Sequence, residues 1–193
     1  VPGLDALLLG DSPEVWAGLG FALDGAECVV GGVRHCLGGA GDGVLAWSLP
    51  EIDGLPRFDP PTPGAPGASS EHPNGVVGLD HLVVVTPDLG RTIDALEAHG
   101  IDLRRHHKHQ AFFKLGDVVL EVVTSPEVPA GPARFWGLAF TAADLDATAA
   151  YLGPRLLPAK DAVQPGRRIA TLHQDAGSSI PIAFMTPKTS APR

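Results

Sequence analysis

The chain has 193 residues, 44% of them apolar and 19% charged, enough to bury a core in one compact domain or two small ones and too apolar for disorder along its whole length. A net charge of −8 leaves no general surface for neutralising phosphates, which argues against nucleic acid as a partner. No apolar run approaches the roughly 20 residues that cross a bilayer, and no basic and apolar leader opens the sequence, so no membrane partner and a cytoplasmic location are expected.

Val1 to Leu9 is a short apolar opening. Asp11-Ser12-Pro13-Glu14 follows as a helix start, with a capping oxygen, an early proline and an acid near the positive helix end. Gly18 and Gly20 keep that helix short. The segments FALDGAECVVGGVRHCLGG and GDGVLAWSLPEI then read as strands joined by glycine turns. Their order, helix and three strands, matches the module described below with its first strand weak or missing. Cys28 and Cys36 lack zinc spacing and read as free thiols in a reducing compartment. From Leu55 to Asn74 the composition turns to proline, glycine and serine without a periodic apolar face, which predicts an exposed linker.

The stretch Leu79 to Pro126 predicts β-α-β-β-β. Leu79 to Val85 is a strand and Thr86-Pro87-Asp88 a turn. Leu89, Ile93 and Leu96 form the buried stripe of a helix that ends before Gly100. Ile101 to Arg105, Ala111 to Leu115 and Val118 to Val123 complete the unit, with the HHKHQ tract as a hairpin tip on the surface. The last third repeats this plan. ARFWGLAF is a strand, Leu145 to Leu152 a helix, and LLPAKDAV, GRRIATLHQ and SIPIAFMTP three more strands. A repeat of this period means two like units packed together.

Two consecutive βαβββ units carrying HLVVVTPDLGRTIDALEAHG, LGDVVLEVV and FWGLAFTAADLDATAAYLG resemble the vicinal oxygen chelate superfamily, in particular its glyoxalase-like domains. The resemblance implies an α+β fold whose tandem βαβββ modules form a cupped barrel that holds a small-molecule ligand. The expected organisation is an abbreviated N-terminal βαβββ-like module over 1–54, a linker over 55–75 and a glyoxalase-like domain over 76–190, itself made of modules 76–130 and 131–190. Metal-dependent members take ligands from the first and last strand of each module. In the first module His81 and Glu121 match those positions; laying the repeat on itself puts Gly137 and Ile182 at the second pair, where neither can ligate.

One imidazole and one carboxylate are half of an ordinary transition-metal set. The reading is therefore a glyoxalase-like protein of degenerate metal site that binds a small organic or carboxylated metabolite, with Glu121 as the candidate catalytic group. His81, Gln164, Arg168 and His173 are the candidate substrate-binding residues. By strand alternation only one of Arg167 and Arg168 faces inward, where it would suit a carboxylate or phosphate. No tightly bound cofactor is expected. The alternatives are a lyase, isomerase or dioxygenase with a divalent transition metal on His81 and Glu121, and a non-catalytic assembly protein. A homodimer is also expected, and one bringing two copies of His81 and Glu121 together would complete a metal site. The tryptophans and most phenylalanines, Trp16, Trp47 and Trp136 among them, are expected in the core and at module contacts.

Overall fold

The computed structural model describes residues 2–61 and 71–188. Two sheets carry the fold. The larger has eight strands in the order β10-β11-β12-β9-β5-β8-β7-β6. Its first half is one module: β5 (Val76–Thr86), α2 (Leu89–Ala98), β6 (Leu103–His107), β7 (Gln110–Leu115) and β8 (Val118–Thr124). Its second is β9 (Arg134–Ala142), α3 (Leu145–Leu152), β10 (Lys160–Asp161), β11 (Arg168–Thr171) and β12 (Ile182–Met185). In each, the first strand lies parallel to the last, β5 beside β8 and β9 beside β12, and the two modules join through β5 and β9, which run antiparallel. The tandem-module cup expected from the repeat is present, although its tenth strand is only two residues long where LLPAKDAV reads as a full one.

The helices start as their sequences dictate. Asp88 caps α2 by accepting from the Arg91 amide at 3.0 Å, and Asp144 caps α3 by accepting from the amides of Asp146 and Ala147. Leu89, Ile93 and Leu96 bury one face of α2 against β7 and β8, and α3 packs on β11. Both helices thus cover the convex side, where Leu82, Val84, Leu120, Val122, Leu138, Phe140, Ile182 and Phe184 point. The alternate residues of the same strands face the cup.

The middle of the convex side is covered by the N-terminal module: β1 (Ala6–Leu9), α1 (Pro13–Gly18), β2 (Glu27–Val30), β3 (Val33–Cys36) and β4 (Val44–Trp47). Its sheet order is β2-β3-β1-β4, with β1 parallel to β3 and antiparallel to β4. The first strand, expected to be weak or missing, is present as four residues and buried. The order β1-β3-β2 reproduces β5-β8-β7, so it is the outer strand, the counterpart of β6, that this module lacks. Strand β4 occupies the flank of β1 that corresponds to the flank of β5 taken by β9, so this module has closed the edge through which modules join.

Trp16 and Trp47 are fully buried, as expected. Trp16, Phe21 and His35 cluster on Phe140, with ring centroids 6.0, 5.2 and 5.7 Å from it. Asp11 ties this contact down by accepting from Trp16 Nε1 at 3.1 Å and from Ser178 and Ser179 of the opposite module. Asp53 does the same at α2, pairing with Arg91 at 2.8 Å and accepting from Thr92. Trp136 departs from expectation. It sits where the pairing of β5 with β9 shifts register, between Phe135 and Gly137, and is 53% exposed.

The ends of the supposed linker are not loose. Leu55 is buried, and the chain beyond it bridges Trp47. His72 bonds the Ala22 amide and Val29 carbonyl, and Asn74 bonds the Leu19 carbonyl. The spacer expected between these ends, 62–70, lies outside the described residues. The free thiols agree with expectation. Cys28 and Cys36 are unpaired, and the register that sets Cys28 opposite His35 and Cys36 opposite Glu27 puts them on opposite faces of their hairpin.

His35 is completely buried, its Nδ1 3.3 Å from the Cys28 carbonyl and its Nε2 without a partner among the described residues. Burial pushes its pKa down to about 4. An unfolded chain takes up this proton near pH 6.5, so the unfolded state binds the extra proton between these values and stability falls as pH drops through that window, by about 3 kcal/mol in total. In urea melts from pH 7 to pH 4, His35→Phe should flatten this part of the acid loss; an unchanged slope would show that His35 does not carry it.

Candidate functional site

The site begins with a fault in strand alternation. Leu79 pairs with Phe140 and His81 with Ala139, so β5 has one residue, Asp80, in excess of its partner. Such a bulge turns consecutive side chains to one side. Asp80 and His81 therefore both reach the inner side of the sheet, and His81 Nδ1 lies 2.7 Å from Asp80 Oδ1. Both groups are nearly inaccessible, with 6% of the His81 and 2% of the Asp80 side chain exposed.

Asp80 is held in turn by Arg167, which enters just before β11. Arg167 Nη1 and Nη2 donate to the two Asp80 oxygens at 3.3 and 2.5 Å, and Thr141 Oγ1 donates at 3.0 Å. Burial acts to raise the Asp80 pKa, but the hydrogen bonds and charges of His81 and Arg167 outweigh it and hold the carboxyl well below its ordinary range. Arg167 also donates from Nε and Nη2 to the Thr186 carbonyl, and from Nη1 to Gln164 Oε1 at 2.5 Å. All five of its N–H groups are thereby used.

This chain of bonds fixes the state of His81. An arginine can only donate, so Gln164 presents its oxygen to Arg167 and its amide nitrogen to His81 Nε2, 3.4 Å away. Ionised Asp80 only accepts, so Nδ1 of His81 carries the proton in the neutral ring. Both neighbours thus demand that Nε2 be the acceptor.

Glu121 lies on β8, whose residue Val119 pairs with His81. It is half-buried on the cup face, and Gln110 of β7 donates to its Oε1 at 3.0 Å. Burial raises its pKa, and the neighbouring His81 works against the rise when its ring is protonated. The structure therefore brings together His81, Glu121 and Gln164 from the sequence reading and adds Asp80, Arg167, Thr141 and Gln110. Arg168 and His173 stand apart. Strand alternation turns Arg168 to the outer side, where it makes a two-oxygen pair with exposed Asp146 at 3.0 Å. His173 is exposed beyond the end of β11 and bonds the Asp175 amide. His106, His107 and His109 are exposed around the tip of the hairpin of β6 and β7, as expected.

The second module offers no metal ligand at the two positions that match His81 and Glu121. Val83 pairs with both Gly137 and Glu121, while His81 pairs with both Ala139 and Val119. With Gly137 the counterpart of His81, as the sequence repeat aligns them, this register makes Ala183, which lies beside Ala139, the counterpart of Glu121. Ile182, aligned with Glu121 in the sequence reading, is one residue off and faces the convex core. The position at Gly137 is also sterically shut, because a Cβ there would lie 2.6 Å from the Pro181 carbonyl oxygen. Among the described residues no group of three or more His, Cys, Asp and Glu side chains is placed to hold a metal. A twofold arrangement that joins two first modules through β5 is blocked, since β9 already occupies that flank. The donor set therefore does not fit a chelated transition metal.

No family model matches the chain, and no curated protein matches it. Solved structures do. The methylmalonyl-CoA epimerase of Mycobacterium tuberculosis superposes with a TM-score of 0.51 and 23% identity, over 61% of this chain and 91% of that one. A methylmalonyl-CoA epimerase of Streptomyces coelicolor in complex with 2-nitronate-propionyl-CoA gives 0.50 and 20%, over 61% and 99%. A hypothetical protein of Bacillus halodurans gives 0.50 and 15%, over 60% and 97%. At these identities the likeness shows the fold alone, which the chain builds from two βαβββ modules joined through β5 and β9.

Proposed function

We propose that the cup between the modules binds a small organic molecule and that His81 and Glu121 exchange protons with it without a metal. One observation carries this reading: Asp80 and Gln164 between them leave Nε2 of His81 as the proton acceptor on the inner side of the sheet. An imidazole held in one tautomer by a buried carboxylate is a general base whose orientation costs nothing at the moment of reaction. Glu121, with its pKa raised by burial, is suited to the second half of a proton transfer on the adjacent strand. The reaction class is proton movement beside a carbonyl or hydroxyl group, as in an isomerisation or elimination.

Gln164 covers Nε2 and is half-buried in a turn whose neighbour Val163 is fully exposed. A ligand reaches His81 by taking the place of this amide. No helix among the described residues is long and apolar enough to cross a membrane.

Three measurements bear on this reading. The wild-type chain should speed deuterium exchange from solvent into the α-carbon of some member of a panel of ketones, and His81→Ala should lower that rate by about 10²-fold or more; equal rates in the two proteins would remove His81 from the chemistry. Purified without a histidine tag, the protein should hold well under one transition metal ion per chain by elemental analysis. Near-stoichiometric metal that vanishes in both His81→Ala and Glu121→Ala, with folding intact, would support the metal-dependent alternative. Asp80→Ala should cost about 3 kcal/mol or more in denaturant melts because it leaves the Arg167 guanidinium buried and unpaired, and a change within experimental scatter would mean that the pair does not hold the site.

A further inference from the structure

Resting on that reading, we infer that the cup takes an uncharged, mainly apolar molecule with a carbonyl or hydroxyl group at its reacting end, and rejects carboxylates and phosphates there. The inference comes from a census of the inner face. By register and alternation, β5 presents Val83 and Val85 beside His81, β8 presents Val119 and Val123 beside Glu121, and β7 presents Phe112 next to Glu121. Across the cup, β9, β12 and β11 present Ala139, Ala183 and Ile169. These residues offer apolar contact and no charge.

The cation that seems made for an anionic ligand is already occupied. Arg167 is 3% exposed and its five N–H groups go to Asp80, Gln164 and the Thr186 carbonyl, so it has nothing left to donate. Its charge is matched by Asp80, and the exposed Lys188 side chain lies 3.8 Å from the same carboxylate. The remaining cations that the register places on this face are all exposed: Arg105 and Lys160 on the edge strands β6 and β10, where charged side chains keep strand edges from pairing with other chains, Lys114 on β7 and Arg134 at the start of β9. The charged group next to His81 that a ligand must meet is Glu121, an acid. A ligand anion placed there would face a like charge in a poorly solvated place with only the uncharged Gln164 amide to donate to it. A neutral carbonyl or hydroxyl oxygen has what it needs, an acceptor at His81 Nε2 and a donor in the Gln164 amide once that amide gives way.

Matched pairs of compounds test this: acetophenone against benzoate, and cyclohexanone against cyclohexanecarboxylate, titrated at pH 8 into wild-type protein with labelled valine methyl groups. The ketones should shift the resonances of Val83 and Val119 and bind at least tenfold more tightly than the acids. In Glu121→Gln the acids should gain and the gap should close to about threefold or less. Acids that bind the wild type as tightly as ketones anywhere on the cup face, or a gap unaltered in Glu121→Gln, would overturn the inference while leaving proton exchange at His81 standing. If neither series moves a cup resonance, the small-molecule reading fails and this inference falls with it.

Discussion

The antiparallel pairing of β5 with β9 is the constraint on which the rest depends. It fuses two modules into one eight-stranded sheet and so makes the cup. It uses up the flank of the first module that would otherwise meet a second copy of itself. Its register also contains the extra residue that puts Asp80 beside His81. A pairing one residue longer or shorter would send Asp80 into the convex core, where an unpaired carboxylate costs several kcal/mol.

The same interaction explains why the polar ring survives burial. A lone aspartate or arginine at 5% exposure or less would be strongly destabilising, but Asp80 and Arg167 meet through two hydrogen bonds and spend their remaining capacity on Thr141, Gln164, His81 and the Thr186 carbonyl. The ring crosses from the first module to the second, so it also fixes how β11 sits against β5. Function and architecture are coupled here: the group that orients the imidazole is also a bond between the two halves of the cup. The N-terminal module adds a third support from behind. Its aromatic cluster presses on Phe140, whose strand neighbour Ala139 pairs with His81.

Much of this fold can be read in the sequence because its signals are local and repeated. Helix caps at Asp88 and Asp144, glycines at 100 and 153 and the alternation of β8 are each decided within a few residues. His81 and Glu121 stand out because apolar strands do not explain them. Asp80 could not be found this way. Alternation assigns neighbouring residues to opposite faces, and a bulge depends on the partner strand, which lies some 60 residues away in a pairing that no local pattern encodes. The choice between Arg167 and Arg168 failed for a related reason: the sequence shows that one faces inward, while the identity of the inward one follows from the register of β11 on β12. The one-residue slip from Ala183 to Ile182 arises because the segments between first and last strand differ in length between the two modules. The N-terminal module is the least legible, because it lacks the counterpart of β6 and adds β4 on the other flank of β1, so its three later strands do not match those of its neighbours one for one.

The central claim is that His81 is a metal-free acceptor at Nε2, held in that state by Asp80. Nitrogen-15 spectra of labelled imidazoles in untagged protein report it directly, since protonated, unprotonated and metal-bound ring nitrogens have separate shifts. At alkaline pH the account predicts a protonated Nδ1 and a bare Nε2 for His81, with the two states mixing in Asp80→Asn. A proton on Nε2, or a metal-shifted Nε2 in freshly purified protein, would contradict it.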